Sequence, residues 1–466
     1  MSSPPGSSPP TAGAHGPAPA QQASGYRGRV LELIRSQGLQ VGDRVLAKND
    51  RISIEGILMP RSELEDDLHV VVKLKDGYNL GLSIEGLSVS KIPDDERLPQ
   101  APPSVQEGGG KPGLPKVSII STGGTIASRV DYRTGAVSPA LSARDLYDSV
   151  PELGEVAEIR TEILYSLLSE NLSPSHWKSI AQSVLKHIRE GADGVVITHG
   201  TDTMGYTAAA LSFALRNLPV PVVLVGSQRS SDRPSSDAYL NLKGAVAVAA
   251  SAPFAEVCVL MHEGSSDGPL AVHRGTRVRK LHTSRRDAFR SVSAAPLARV
   301  SDGKVEALGT FRPRSPGAAP EVRASFDEDV VLIKSFPGIP PDIFDPIIHR
   351  DFRGIVLEGT GLGHVPESIF PQLRRAVAAG MTVVMASQCV YGRVNMNVYS
   401  TGRELLNIGV IPAGDMMPET ALVKLMWVLG QTDSKERIRE LFLTNVAGEL
   451  SERSEYYGEG AHGGVQ

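Results

Sequence analysis

Cysteine is scarce in this chain: Cys258 and Cys389 are the only two among 466 residues. Both sit inside apolar runs, so a disulfide framework is excluded and buried thiols in a reducing compartment are expected. No apolar run approaches the roughly 20 residues that span a bilayer, and the first residues lack the charged-then-apolar pattern of a signal peptide. A cytoplasmic protein is expected. Charge of one sign is not in excess either. Lys plus Arg total 48 against 52 Asp plus Glu, a net charge of −4, which excludes the basic footprint of a chain that grips nucleic acid by itself. A GxxxxGK[ST] phosphate loop and a cluster with metal-ligand spacing are missing too, so neither ATP nor a metal is expected in this chain. What is present is 41% apolar residues, enough for sizeable cores, in a length that predicts two or three domains.

Residues 1–25 are Pro, Ala, Ser and Gly almost throughout and read as a disordered tail, with too little apolar content to offset ordering entropy. Residues 26–92 predict a small β-domain: one helix over Tyr26–Gln37, then short β runs at Asp43–Ala47, Arg51–Met59, His69–Leu74 and Asn79–Leu82, with Asp76-Gly77 as a hairpin turn. About fifty residues of meander suggest a small barrel without catalytic features. Residues 93–115, rich in Pro, Gly and charge, read as a linker. Apolar strands then alternate with helical patterns. Val117–Ile120, Gly194–Thr198, Pro221–Val225 and Val257–Met261 are the strands of a large α/β domain over 116–310. Ser173-Pro174 opens a helix whose apolar face is Trp177, Ile180, Ala181, Val184, Leu185 and Ile188. Continuous apolar strands in this alternation predict a doubly wound parallel sheet with helices on both faces. Ser291–Arg323 reads as loose chain, with a connector over 311–327. A smaller α/β domain follows over 328–447, with strands at Val330–Lys334, Gly354–Leu357 and Thr382–Ala386, and a tail over 448–466.

Two strand ends carry the chemistry. Val117-Ser118-Ile119-Ile120 breaks into Ser121-Thr122-Gly123-Gly124-Thr125, where paired glycines let backbone approach a ligand closely. Some eighty residues on, Gly194–Met204 (GVVITHGTDTM) is a second strand ending in a second polar loop. Open α/β sheets build their sites at such carboxyl ends. Each loop also has a plain structural reading. A Gly-Gly turn can use its hydroxyls on its own backbone. Asp202 can cap a helix starting near Thr203, Lys280 can be one more charge in a solvated RVRK run, and His199 can simply brace its loop. His176 and His187 read as surface or packing residues.

TGGTIAS followed by THGTDTM resembles the asparaginase–glutaminase family over roughly Lys116 to Ala447. The resemblance implies an asparaginase-like fold, a nucleophile at Thr125, and a second set formed by Thr201, Asp202 and a lysine, for which Lys280 is the matching position. A threonine hydroxyl needs a base before it attacks an amide, and Lys280 beside Thr201 supplies one if its amine is neutral. Partial burial and the cations Arg277, Arg279, Arg285 and Arg286 push a lysine pKa down, while Asp202 opposes the shift. Asp202 is also a candidate for the α-ammonium of an amino-acid substrate. Arg129–Pro139 resembles the family's closing segment with Tyr132 as its tyrosine, Ser169-Glu170-Asn171 its substrate α-group loop, and Glu358–Pro366 (EGTGLGHVP) the segment reaching a neighbouring subunit's site.

A plain asparaginase has no use for the first 115 residues. Those residues, with SQRSSDRPSSDAYLNL at Ser227–Leu242 and HRGTRVRKLHTSRRDAF at His273–Phe289, resemble one branch of the family, the D subunits of archaeal-type glutamyl-tRNA(Gln) amidotransferases. The resemblance implies ammonia release from glutamine or asparagine for a partner, the amidotransferase E subunit, that holds tRNA, ATP and magnesium, within a heterotetramer built on a homodimer. The alternatives are a free-standing cytoplasmic L-asparaginase with an accessory domain, and a non-catalytic adaptor that keeps the fold.

Overall fold

The computed structural model describes residues 25–61, 66–74, 79–92, 113–124, 128–130, 137–139, 152–230, 233 and 235–453. They fall into two compact units, one of which holds residues 1–100 and the other the large C-terminal part of the chain. The Lys75–Tyr78 turn, Thr125 and Tyr132 lie outside the described residues.

In the small unit, helix α1 (Gly28–Ser36) precedes five antiparallel strands, β1 (Arg44–Lys48), β2 (Ser53–Leu58), β3 (His69–Lys73), β4 (Asn79–Ser83) and β5 (Ser88–Lys91). Their order, β4-β3-β2-β1-β5, puts β4 and β5 at the two edges. Val30 and Ile34 of α1 join Val45, Ala47, Leu58, Val70 and Val72 in one core. The expected meander is therefore a five-stranded sheet closed on one face by its helix.

The large unit is built on an eight-stranded sheet. Its parallel part contains β6 (Lys116–Gly123), β7 (Glu158–Leu167), β8 (Gly194–Thr198), β9 (Val222–Val225) and β10 (Val257–His262). It continues antiparallel through β11 (Leu270–Arg274), then β14 (Ala298–Ser301) and β15 (Lys304–Ala307), in the order β15-β14-β11-β10-β9-β8-β6-β7. Between β11 and β14 lies a separate antiparallel hairpin, β12 (Val278–Lys280) with β13 (Phe289–Ser291). Ser291–Arg323 is thus not loose chain: β14 and β15 form a hairpin there. Its turn is Asp302-Gly303, both with positive φ (50° and 74°), the backbone that a tight hairpin requires. The strands are short and only β14 alternates buried with exposed residues, which hides them from a search for apolar runs.

Helices α2 (Pro174–Arg189), α3 (Met204–Ala214) and α4 (Ala238–Ser251) cover the sheet. Nearly every residue of α3 is buried, because it is sandwiched. Ala208 and Leu211 face the large sheet. Ala209, Ala210 and Phe213 face the second lobe, where Phe213 stacks on Trp427 at 5.8 Å. That lobe is a four-stranded parallel sheet of β16 (Val330–Lys334), β17 (Gly354–Gly359), β18 (Thr382–Ser387) and β19 (Ile411–Pro412). Helices α5 (Phe370–Ala378), α6 (Pro418–Leu429) and α7 (Lys435–Leu443) accompany it. Ala209 and Ala210 of α3 let α6 approach closely, and the shared core makes the two lobes one body. No helix among the described residues is long and apolar enough to cross a membrane.

The segment after α7 returns to the large lobe around a fully buried ion pair. Lys424 Nζ lies 2.6 Å from Glu449 Oε1 and donates to Thr444 O at 2.7 Å. Glu449 also accepts from the backbone N–H groups of Val446 and Ala447. Burial pushes the Lys424 amine down, opposed by Glu449. Lys424→Met strands the carboxylate, and removing one member of a buried pair costs about 3–5 kcal/mol. Adding Glu449→Gln removes the stranded charge while keeping an acceptor. Denaturant unfolding should therefore find the double variant more stable than Lys424→Met alone.

Candidate active site

Strands β6 and β8 are parallel neighbours with Ser121 opposite Thr198, so the loops that follow leave the sheet side by side. Thr122 Oγ1 donates to Thr198 O at 2.9 Å and ties the two strand ends together. Beyond this point only glycine fits. Gly124 has φ +84°, and a Cβ there would lie 2.3 Å from Gly200 N. Gly123 presses equally on Leu167 O, and a Cβ on Gly200 would lie 2.7 Å from Ser169 Cβ. Three loops, 122–124, 167–171 and 199–203, therefore meet backbone to backbone.

Thr203 seals the junction by donating its hydroxyl to Ser169 O at 2.7 Å. His199 braces the second loop from within. It is fully buried; Nδ1 donates to Gly200 O at 2.7 Å, and Nε2 accepts from Thr207 Oγ1 at 2.8 Å. Trp177 Nε1 donates to the same Thr207 hydroxyl at 3.1 Å. Burial pushes His199 down to about 4, with the Gly200 hydrogen bond opposing, so the ring is neutral near pH 7.

Lys280 arrives from β12, in the hairpin outside the eight-stranded sheet. Its Nζ donates to Thr201 Oγ1 and to Asp202 Oδ1, each at 2.8 Å. The lysine side chain is 14% exposed and that of Asp202 71%. The amine is thus held in the protein wall while the carboxylate faces the open side. Helix α3 takes Thr203 as its N-terminal flank, so Asp202 does not cap it. The structure brings Thr201, Asp202, Lys280 and Ser169 together, with Glu170 exposed beside Ser169. Residues 128–130 and 137–139 pair antiparallel. The arrangement offers an amine on a hydroxyl, able to pass a proton, beside a carboxylate suited to a cation.

The cations expected to act on Lys280 are each engaged elsewhere. Arg277 pairs with Asp415 at 3.1 Å, Arg279 with Glu419 at 3.0 Å and Arg285 with Asp287 at 2.8 Å, while Arg286 pairs with Asp267. RVRK is not a solvated run, because strand alternation sends Arg277 and Arg279 to one side and Val278 and Lys280 to the other. Asp237, by contrast, carries no mark in the sequence. Its buried carboxylate accepts from the N–H groups of Gln228 and Arg229 and from Asn241 Nδ2, which fixes the loop after β9. Asn241 also donates to Gly226 O, and a Cβ on Gly226 would lie 2.9 Å from Thr201 Cγ2. Asp237 thereby supports the wall behind Thr201. Of the other histidines, His176 caps α2 through Ser173 and His187 pairs with Glu162 at 2.6 Å.

The chain is similar to known proteins along most of its length. Residues 116–311 match the family model "Asparaginase, N-terminal", 329–442 match "Glutaminase/Asparaginase C-terminal domain", and 39–92 match "GatD N-terminal domain". The D subunit of the glutamyl-tRNA(Gln) amidotransferase of Methanopyrus kandleri is 51% identical over 92% of this chain and 95% of its own. That of Pyrococcus abyssi is also 51% identical, over 91% and 98%. Among solved structures, the thermostable L-asparaginase from Thermococcus kodakarensis superposes with TM-score 0.65 at 36% identity, covering 72% of this chain and all of its own. A probable cytoplasmic L-asparaginase from Campylobacter jejuni gives 0.61 at 30% identity, with 71% and 100% covered.

His199 gives the site a pH signature. Its folded-state pKa, about 4, lies below the ordinary 6.5, so the unfolded chain binds the proton more readily. This contribution to stability is complete above pH 6.5 and is lost as pH falls toward 4. It amounts to on the order of 3 kcal/mol. Unfolding free energies measured across that window should fall less steeply in His199→Gln than in the wild type. Equal slopes would show that His199 is not a buried neutral ring.

Proposed function

The chain belongs to the GatD family, the D subunits of glutamyl-tRNA(Gln) amidotransferases, and from that membership we propose that Thr125, Thr201, Asp202 and Lys280 release ammonia from the side-chain amide of glutamine or asparagine. The α/β part is an amidohydrolase of asparaginase type. The observation that carries the reading is Lys280 Nζ held at 2.8 Å from both Thr201 Oγ1 and Asp202 Oδ1.

Thr125 follows Gly124, the residue pressed on Gly200. In the proposed reaction its Oγ attacks the amide carbon and its proton passes through Thr201 to Lys280, which acts as the base. The tetrahedral oxyanion collapses, the C–N bond breaks, and the nitrogen takes a proton and leaves as ammonia. Water then cleaves the threonyl ester by the same proton route and frees the acid. Asp202 keeps one oxygen on Lys280 and, being open to solvent, offers the other to the substrate α-ammonium. Ser169 and Glu170 complete the α-group contacts, and Tyr132 is assigned an auxiliary role in closing the site.

The ammonia goes to a partner, the amidotransferase E subunit, which binds the tRNA and uses ATP and magnesium to activate its glutamyl group; this chain needs no cofactor of its own. The net charge of −4 suits tRNA contact made mainly by the partner. The five-stranded domain is assigned to assembly. Plain L-asparaginases correspond along their whole length to 72% of this chain, which leaves that domain over and disfavours the free-standing asparaginase. We also assign the chain to a homodimer within the heterotetramer, in the cytoplasm. Exposed Phe336, Tyr391 and Tyr399 lie in loops of the second lobe, where Tyr399 packs edge-on against His364 of the Glu358–Pro366 segment.

Thr125→Val should abolish ammonia release while leaving the fold intact, and added ammonium should restore tRNA amidation in the reconstituted complex. Lys280→Met should lower the rate by roughly two to four powers of ten, as expected for a positioned proton-transfer group. A folded Thr125→Val chain with near wild-type turnover contradicts the nucleophile; a loss below about tenfold in Lys280→Met contradicts the base.

A further inference from the structure

Lys280 is delivered by a slender element. Strand β12 is three residues long and pairs with β13 alone. An isolated two-stranded hairpin is marginal in water, yet Nζ must reach Thr201 and Asp202 together. The fixing contacts come from residues 171 and 174 positions further along the chain. Arg277 is 2% exposed. Its Nε donates to Gly448 O at 2.9 Å, Nη1 to Asp415 O at 3.1 Å, and Nη2 to Ser451 Oγ at 2.8 Å. Asp415 Oδ2 completes the ion pair at 3.1 Å, and Asp415 Oδ1 accepts from Ser451 N. On one side of Arg277, Thr276 donates to Ala447 O at 3.0 Å; on the other, Arg279 pairs with Glu419. The receiving segment is itself held by the buried Lys424–Glu449 pair.

We propose that Arg277 is a positioning residue for Lys280, and that through it the segment 445–451 belongs to the working apparatus of the active site. Arg277 and Arg279 face one side of the strand and grip the second lobe, while Val278 and Lys280 face the other. Val278 is buried against the core beneath α3, and Lys280 lies on Thr201. Arg277 thereby sets the register in which Nζ is presented. A planar fork with acceptors in three directions has no substitute in lysine, whose single nitrogen reaches fewer of them. A displacement of about 1 Å at a reacting group costs on the order of 10²-fold in rate.

The inference rests on the role proposed for Lys280, so Lys280→Met is measured alongside. Ammonia release by the full chain is followed with saturating and limiting glutamine across pH. Arg277→Lys should lower kcat by roughly 10- to 100-fold with KM within about threefold, and should move the kcat–pH profile, because the contact of Nζ with Asp202 changes. Ser451→Ala, which removes one acceptor of the fork, should lower kcat by about three- to tenfold in the same direction. Arg374→Ala, which breaks an exposed pair with Glu404, should change neither. Folded Arg277→Lys and Ser451→Ala chains with wild-type kcat and an unmoved profile overturn the proposal. Should Arg277→Lys fail to fold, Ser451→Ala decides alone. Loss in Lys280→Met without loss in the other two defeats only this inference, whereas full activity in Lys280→Met defeats the role of Lys280 itself.

Discussion

At Gly124 and Gly200 two loops from neighbouring strands touch through their backbones, with no room for a methyl group between them. That contact fixes how closely the ends of β6 and β8 approach. The Thr122 hydroxyl on Thr198 O supports it from below, Ser169 closes it from the side, and His199 stiffens it from within. Each support is buried and held by hydrogen bonds, so the loops have little freedom to part. A threonine that follows Gly124 in sequence starts from this rigid point, and rigid placement is what converts a weak nucleophile into an effective one.

The site also divides its charges. Lys280, Asp202 and Thr201 form a small unit whose amine is enclosed and whose carboxylate is open. Arg277 and Arg279, which crowd the same stretch of sequence, are engaged with carboxylates across the interface between the lobes. Their work is mechanical: they fasten the short strand that carries the lysine. Burial and pairing thus turn one basic run into two functions separated by the alternation of a strand.

Much of this was legible in the sequence. The apolar runs of β6 and β8, their glycine-rich ends and the helical period of α2 reflect local physics, and local physics is written in neighbouring residues. Thr201 and Asp202 stand out by position at a strand end, whereas Lys280 is marked only by resemblance to a family. Other features could not be read because their cause lies far along the chain. Lys424 and Glu449 look like ordinary surface charges until folding buries them against each other. Asp237 is one of several polar residues in a loop until the turn after β9 wraps around it. The β14–β15 hairpin leaves little trace in the sequence because its strands are short and only partly apolar. The small domain's sheet was visible, but nothing in its side chains names what it docks to.

The central claim is that Thr125, the residue after Gly124, forms a covalent ester with the substrate. The most direct measurement is acid quenching of the full chain during turnover of glutamine, followed by peptide mapping by mass spectrometry. The account predicts a glutamyl ester on Thr125 in the wild-type chain that is absent from Thr125→Val. An ester on Thr201, or turnover with no ester on any residue in either chain, would contradict it.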